Sequence, residues 1–79
     1  MKNDISYEKI KERVDWGEEF LFCYKNEDYW ISQKNSKRYL TRVRGGITQE
    51  FQSTDDLFEQ GRIEGKSLLE IWGDIKHYF

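Results

Sequence analysis

Proline and alanine are missing from this sequence, and cysteine and histidine occur once each. A single cysteine excludes an intramolecular disulfide. No apolar run approaches the roughly 20 residues of a transmembrane helix, and nothing at the N-terminus resembles a signal peptide. We therefore expect a soluble, cytoplasmic protein with no membrane partner. The missing alanine and proline, beside abundant Lys, Asn, Ile, Phe and Tyr, are typical of an AT-rich coding sequence and suggest a low-GC bacterium or its phage.

The same shortages argue against catalysis, metal binding and cofactor binding. A nucleophilic cysteine requires a nearby histidine or an electropositive site, whereas Cys23 lies in an apolar stretch and His77 lies near the end of the chain. A metal site requires several converging His, Cys or carboxylate ligands, and no such spacing occurs. The acidic pairs Glu18-Glu19 and Asp55-Asp56 lie at element boundaries, where capping and solvation explain them. We predict a non-enzymatic protein with no catalytic residue, cofactor or metal.

Length predicts one small domain spanning residues 1–79. A domain of this size buries only about 60% of the surface that its unfolded chain exposes, so we expect a stability of a few kcal/mol. Dimerisation is one way in which small domains gain stability, and a homodimer therefore stays open. Three Trp, five Tyr and five Phe supply much of the expected core volume.

The central stretch Glu19–Ser53 has the two-residue period of β-strands. Four runs rich in β-branched and aromatic residues lie between turns: Phe20–Tyr24, Tyr29–Ile31, Tyr39–Val43 and Ile47–Phe51. Because Phe20–Tyr24 is apolar on both sides, we expect it to be a central strand or to be covered twice. Gly45-Gly46 suits a two-residue hairpin, since glycine takes positive φ without steric cost. The stretch predicts a meander of three to four antiparallel strands.

A helical period occurs on both sides of this meander. Tyr7, Ile10 and Val14 form one stripe of an N-terminal helix, which Asn3 or Asp4 can cap. Gly17 follows where a residue with positive φ would end that helix. After the sheet, Ser53 and Thr54 precede Asp55 and Asp56. This is the pattern of a short helix with acidic residues in its first turn.

The C-terminal helix is predicted from about Ser67 to Lys76. Ser67 and Glu70 have the spacing of a capping box, and Gly73 would let the helix backbone approach the sheet closely. We therefore predict an α+β fold with an N-terminal helix, an antiparallel β-meander, a short helix and a C-terminal helix. Both terminal helices should pack on one sheet face through six residues: Ile10, Val14, Leu68, Ile71, Trp72 and Ile75.

The C-terminal third carries a recurrent pattern. Phe51–Phe58 reads FQSTDDLF, and Ile63–Trp72 reads IEGKSLLEIW. This resembles the tail of small uncharacterised proteins of Gram-positive bacteria and their phages, in which a strand precedes S-x-x-[DE]-L and then I-x-G-K-S-L-x-E-I-W. The resemblance implies a compact α+β fold and implies no active-site residue.

The stretch from Lys34 to Arg44 is the most function-like feature. The net charge of the chain is −2, yet this stretch holds basic residues and no acidic one, which leaves the rest strongly acidic. The candidate partner-binding residues are Lys34, Lys37, Arg38, Tyr39, Arg42 and Arg44. A basic patch of this kind fits an acidic patch on another protein.

Two other interpretations of this stretch stay open. Basic side chains around an aromatic residue can neutralise phosphates and stack a base, although the acidic total and the sequence pI near 5.4 argue against a dedicated nucleic-acid binder. Charges at a sheet edge also deter aggregation without binding any partner. We predict a small protein that binds another protein, as an inhibitor, immunity factor or accessory subunit. Nucleic-acid binding through Lys34–Arg44 is the alternative.

Overall fold

The computed structural model describes residues 6–79 and has an α+β fold, in which helices pack on one face of a four-stranded antiparallel sheet. The helices and strands are α1 Tyr7–Asp15, β1 Phe20–Tyr24, β2 Glu27–Lys34, β3 Lys37–Arg42, β4 Ile47–Phe51, α2 Thr54–Gln60 and α3 Trp72–Ile75. The strands lie side by side in chain order. The predicted fold class and meander are confirmed, with four strands.

Both ends of α1 are fixed by local hydrogen bonds. The Ser6 hydroxyl accepts a hydrogen bond from a first-turn N–H at 3.1 Å, whereas the predicted caps Asn3 and Asp4 lie outside the described residues. Gly17 has a φ of 110°, and its N–H donates to the Val14 carbonyl at 3.0 Å. Gly17 therefore ends the helix as predicted, because a side chain at this φ would be strained.

Two tight hairpins connect the first three strands. The pairs Tyr24–Glu27 and Lys34–Lys37 close them, so each loop has two residues. All four loop residues, Lys25, Asn26, Asn35 and Ser36, have positive φ. This is the type I′ geometry, whose twist matches that of the flanking strands.

The connection between β3 and β4 is longer than predicted. Arg42 pairs with Ile47, so residues 43–46 form the loop, and its last part is a 3₁₀ turn. Gly45 and Gly46 have φ values of 87° and 64°, which confirms the predicted need for glycine. The two-residue hairpin is nevertheless wrong, because β3 stops at Arg42.

The strand register divides the sheet into an inner face, which the helices cover, and an outer face. The buried inner residues are Phe22, Tyr24, Tyr29, Ile31 and Leu40. The outer residues are Leu21, Cys23, Asp28, Trp30, Ser32, Lys34, Lys37, Tyr39, Thr41, Thr48 and Glu50. Phe22 is 2% exposed and its neighbour Leu21 is 63% exposed. β1 is therefore covered on one side only, and the strand order places it at an edge of the sheet, so the expectation that it would be central or doubly covered is wrong.

The helical layer packs on the inner face largely as predicted. Five of the six predicted packing residues are buried, and the sixth, Trp72, is partly buried. Trp72 stacks on Phe79 with ring centroids 5.2 Å apart. Phe79 also contacts Phe20 and Phe22, so the C-terminal residue closes one end of the core.

The C-terminal helix is much shorter than predicted. Ser67 and Glu70 form the predicted capping box: the Ser67 N–H donates to Glu70 Oε1 at 2.7 Å, and the Glu70 N–H donates to Ser67 Oγ at 3.2 Å. Turns follow, and α3 begins only at Trp72, because Ile71 has a φ of −103° and a ψ of 6°. Leu68 and Ile71 are nevertheless both buried in the core, as their spacing of three residues predicts.

Candidate binding face of the sheet

Strand alternation separates the six predicted binding residues. Lys34, Lys37 and Tyr39 lie on the outer face, whereas Arg38 and Arg42 point to the helical side. The sixth, Arg44, lies in the connection between β3 and β4. The structure therefore does not bring these residues together as one basic surface.

Arg38 joins the sheet to two helices. Its side chain is 11% exposed, and its Nε donates to Thr54 Oγ1 at 3.1 Å. One Nη lies 3.7 Å from Asp15 Oδ1 and donates to the Asp15 carbonyl at 3.4 Å. The Thr54 hydroxyl donates in turn to Asp15 Oδ1 at 3.0 Å, so three elements share one network. Arg38 is thus occupied within the fold.

Arg42 and Arg44 are paired with one carboxylate. Each has an Nη within 3.4 Å of Glu27 Oε2, and the Glu27 side chain is only 14% exposed. The hydrogen bond to Glu27 raises the pKa of Arg42 above its usual range. These two guanidinium groups therefore balance a largely buried acid at the start of β2.

On the outer face, Lys37 has a salt-bridge partner, whereas Lys34 has none among residues 6–79. Lys37 Nζ donates to Glu50 Oε2 at 2.7 Å across β3 and β4, and this bond raises the pKa of Lys37. Within residues 6–79, Lys34 makes no salt bridge. Of the basic residues in the predicted run, four have an acidic partner inside the molecule, so the local charge is largely neutralised.

Trp30 lies at the centre of the outer face. A row of paired residues crosses all four strands in the order Leu21, Trp30, Thr41 and Thr48. Leu21 is 63% and Trp30 is 42% exposed, and the two threonine hydroxyls hydrogen bond to each other at 3.0 Å. Among the described residues, no helix covers this row, so an aromatic and an aliphatic side chain stand side by side in solvent.

Two more outer residues extend this apolar centre. Val43 follows the last residue of β3 and begins the 3₁₀ turn with φ −61° and ψ −46°; its N–H donates to the Asp28 carbonyl at 2.9 Å, and it is 49% exposed. Tyr39 lies on β3 opposite Ser32 and is partly buried. By sequence spacing, both are diagonal neighbours of Trp30, about 7–8 Å away, a distance within reach of aromatic side chains. An exposed patch of Leu21, Trp30, Tyr39 and Val43 results, called the apolar patch below.

The outer face also has charges of opposite sign at its two ends. Asp28 lies near the start of β2 and Lys34 at its end, both exposed. Six residues of extended strand separate them by about 20 Å. Neither makes a salt bridge within residues 6–79. The face is therefore apolar in the middle, acidic at one end and basic at the other.

The apolar patch could have been found in the sequence. A two-residue period that buries Phe22 and Ile31 necessarily turns Leu21 and Trp30 to the opposite side. The expectation that β1 would be covered twice hid this consequence. The basic run, by contrast, looked continuous in sequence only because strand alternation was not applied to it.

The helical side also carries exposed apolar residues, since Trp16, Ile47 and Leu69 are 63%, 57% and 60% exposed. Tyr7 fills the space between α1 and α2, edge-on against Phe58 at 5.4 Å and against Trp72 at 5.5 Å. Burial, and then the nearby Glu8 and Glu59, raise the pKa of Tyr7 to about 12. The Tyr7 phenol is therefore neutral and structural at physiological pH.

Within residues 6–79, no cluster of three His, Cys, Asp or Glu side chains has the geometry of a metal site. In the same part of the chain, no helix has the length and apolar character needed to cross a membrane.

The last turn of the chain lies beside β1, where Tyr78 contacts Cys23. Partial burial, helped by the neighbouring Cys23 thiol, raises the pKa of the Tyr78 phenol.

Comparison with known protein families, with curated proteins and with solved structures found no match to this chain. The resemblance of Phe51–Trp72 to small Gram-positive proteins accordingly stays a sequence-based prediction. The functional argument depends on the geometry of the chain itself.

Proposed function

We propose that this chain is a non-enzymatic binding protein that recognises another protein through the outer face of its sheet. The observation that supports this proposal is the exposed Trp30, with exposed Leu21 beside it and Val43 diagonal to it. Exposed apolar clusters on small domains are typical of interaction sites. Tryptophan is also among the residues most enriched at the centres of protein–protein interfaces.

A protein fits this face better than a nucleic acid. Phosphate binding depends on unpaired cations, and most of the basic run is already paired with Glu27, Glu50 and Asp15. Lys34 alone would add little electrostatic attraction, and the chain as a whole is acidic. An apolar centre with mixed charges around it is instead the usual anatomy of a protein interface. Of the six residues proposed from the sequence, Lys34, Lys37 and Tyr39 belong to this face.

A protein of this size that binds through one face would act by blocking or by completing its partner. This matches the inhibitor, immunity or accessory roles expected from the sequence. Each of these roles would depend on the outer face of the sheet, so one experiment on that face tests all of them.

The experiment compares two exposed tryptophans. Wild-type protein, Trp30→Thr and Trp16→Thr are immobilised, and partners are captured from the native host and identified by mass spectrometry. Trp16 is the matched control, since it is 63% exposed at the end of α1, outside the sheet. We expect Trp30→Thr to lose a partner that the wild type and Trp16→Thr both retain, with unchanged circular dichroism.

Equal capture by all three proteins would contradict the proposal. The nucleic-acid alternative is checked with fluorescent single-stranded DNA and RNA at several salt concentrations. Tight binding that weakens steeply with salt and is lost in Lys34→Glu would favour that alternative instead.

A further inference from the structure

The charges of the outer face are complementary to those of a second copy of the same face. Asp28 and Lys34 lie on the same side of β2, three residues before and three residues after Ile31. We propose that, in the absence of a partner, two copies of this chain pack outer face to outer face about a two-fold axis that passes over β2 at the level of Ile31. This inference rests on the proposed function, because the second copy would occupy the same face.

The axis lies between the two sheets and runs across the strands. Each β2 then runs antiparallel over the β2 of the other copy. A two-fold axis exchanges the ends of the strand, so Asp28 of each copy faces Lys34 of the other. Both charges, which have no salt-bridge partner within residues 6–79, gain one.

The same axis brings large side chains over small ones. Trp30 of one copy faces Ser32 of the other, since these two residues are also equidistant from Ile31. Packed sheets lie about 10 Å apart at about 30°, and their facing side chains interdigitate. The serine leaves the space that the 42% exposed indole needs.

The charges of the outer face also disfavour the other simple face-to-face dimer, in which the two-fold axis runs parallel to the strands. An axis parallel to the strands would keep the strand ends together, so that Asp28 of one copy would lie near Asp28 of the other. Lys34 would likewise lie near Lys34. Like charges across an interface are unfavourable, so the charge pattern selects the axis across the strands.

The size of the face predicts a weak dimer. Four strands of about six residues span roughly 20 by 20 Å, or about 400 Å² of projected area per copy. A standard interface buries about 800 Å² per partner, so this one belongs with small, reversible interfaces. A reversible dimer would cover the apolar patch when the chain is alone and release it to a tighter-binding partner.

The test uses charge reversal in sedimentation velocity experiments over a range of concentrations. We expect the wild type to show a reversible monomer–dimer equilibrium. Asp28→Lys and Lys34→Glu should each weaken self-association about tenfold or more, because each places like charges face to face twice. An equimolar mixture of the two variants should restore dimers, since every facing pair in the mixed dimer is again opposite in sign.

Two control variants change the net charge by the same amounts away from the outer face. Glu64→Lys and Lys66→Glu lie in an exposed turn next to buried Ile63, and both should dimerise as the wild type does. A wild type that stays monomeric at all concentrations would overturn the inference. A dimer that neither reversal weakens, or a mixture that stays monomeric, would overturn it equally.

The outcomes separate this inference from the proposed function. A monomeric wild type that still loses its partner on Trp30→Thr refutes the second copy and leaves the proposed function standing. Restored dimers in the mixture, with partner capture unaffected by Trp30→Thr, would support the dimer and refute the proposed function.

Discussion

Replacing Arg38 by methionine should destabilise this protein far more than replacing Arg44 of the same run. Arg38 is 11% exposed and links β3 to Asp15 at the end of α1 and to Thr54 at the start of α2. Methionine keeps the unbranched stem of the side chain as far as the position of Nε and removes the rest of the guanidinium group. The experiment therefore measures the polar network rather than a cavity.

The magnitude follows from the geometry of the network. A hydrogen bond that involves a charged group contributes about 1.5–3 kcal/mol. Asp15 is 68% exposed, so its carboxylate regains water after the substitution, and its ion pair with Arg38 contributes little by itself. Thr54 keeps its hydrogen bond to Asp15 at 3.0 Å, so its hydroxyl is not left unpaired. We expect a net loss of about 2 kcal/mol, which lowers Tm by about 10 °C in a domain of this size.

The assay is thermal unfolding followed by circular dichroism, with Arg44→Met as the control. Arg44 is 76% exposed and shares Glu27 with Arg42, so its removal should change the unfolding free energy by less than about 1 kcal/mol. A double-mutant cycle with Asp15→Asn should give a coupling energy of at least about 0.5 kcal/mol. If Arg38→Met and Arg44→Met had the same Tm, the network would not connect sheet and helices as described.

This expectation also changes how the basic run can be tested. Reversing Arg38 and Arg42 to glutamate was the obvious test of a basic binding surface. In the structure, Arg38→Glu would place a carboxylate beside Asp15, and Arg42→Glu would do the same beside Glu27. Loss of binding in that variant would then report unfolding, so Lys34 and Trp30 are better positions for a binding test.

Three further predictions concern the C-terminal segment. Trp72→Ala should lower the free energy of unfolding, measured by urea titration, by about 3 kcal/mol. This is the low end for a large aromatic residue, because Trp72 is only partly buried against Phe79. A loss below about 1 kcal/mol would contradict this expectation. Gly73→Ala should raise Tm, since a Cβ there meets no atom within 4 Å and alanine favours the helix by about 1 kcal/mol; a lower Tm would show a close contact that the structure lacks. The hydrogen bond from the Ser67 N–H lowers the pKa of Glu70 in the folded state. The stability that this hydrogen bond contributes is therefore present above the pKa of Glu70 in the unfolded chain, and it is lost as pH falls through the pKa in the folded protein. Glu70→Gln should therefore lose less stability than the wild type between pH 7 and pH 3, and parallel pH profiles would refute this.

The sequence by itself determined the local structure. The change from a helical to a two-residue period and back located α1, the four strands and the C-terminal segment, because side chains must alternate along a strand and recur by turns along a helix. Gly17, Gly45 and the capping box of Ser67 and Glu70 were readable for the same reason. Each depends on the conformational freedom or hydrogen bonding of neighbours a few residues apart.

Only the tertiary structure decided which surface was free. Arg38 meets Thr54 and Asp15, which are 16 and 23 residues away in the chain, and nothing in the local pattern selects such partners. The stacking of the helices on the inner face alone likewise left Leu21 and Trp30 in solvent. Ion pairs and burial depend on how the layers stack, and this is why a continuous basic run in sequence became separate internal contacts while the exposed face formed around a tryptophan.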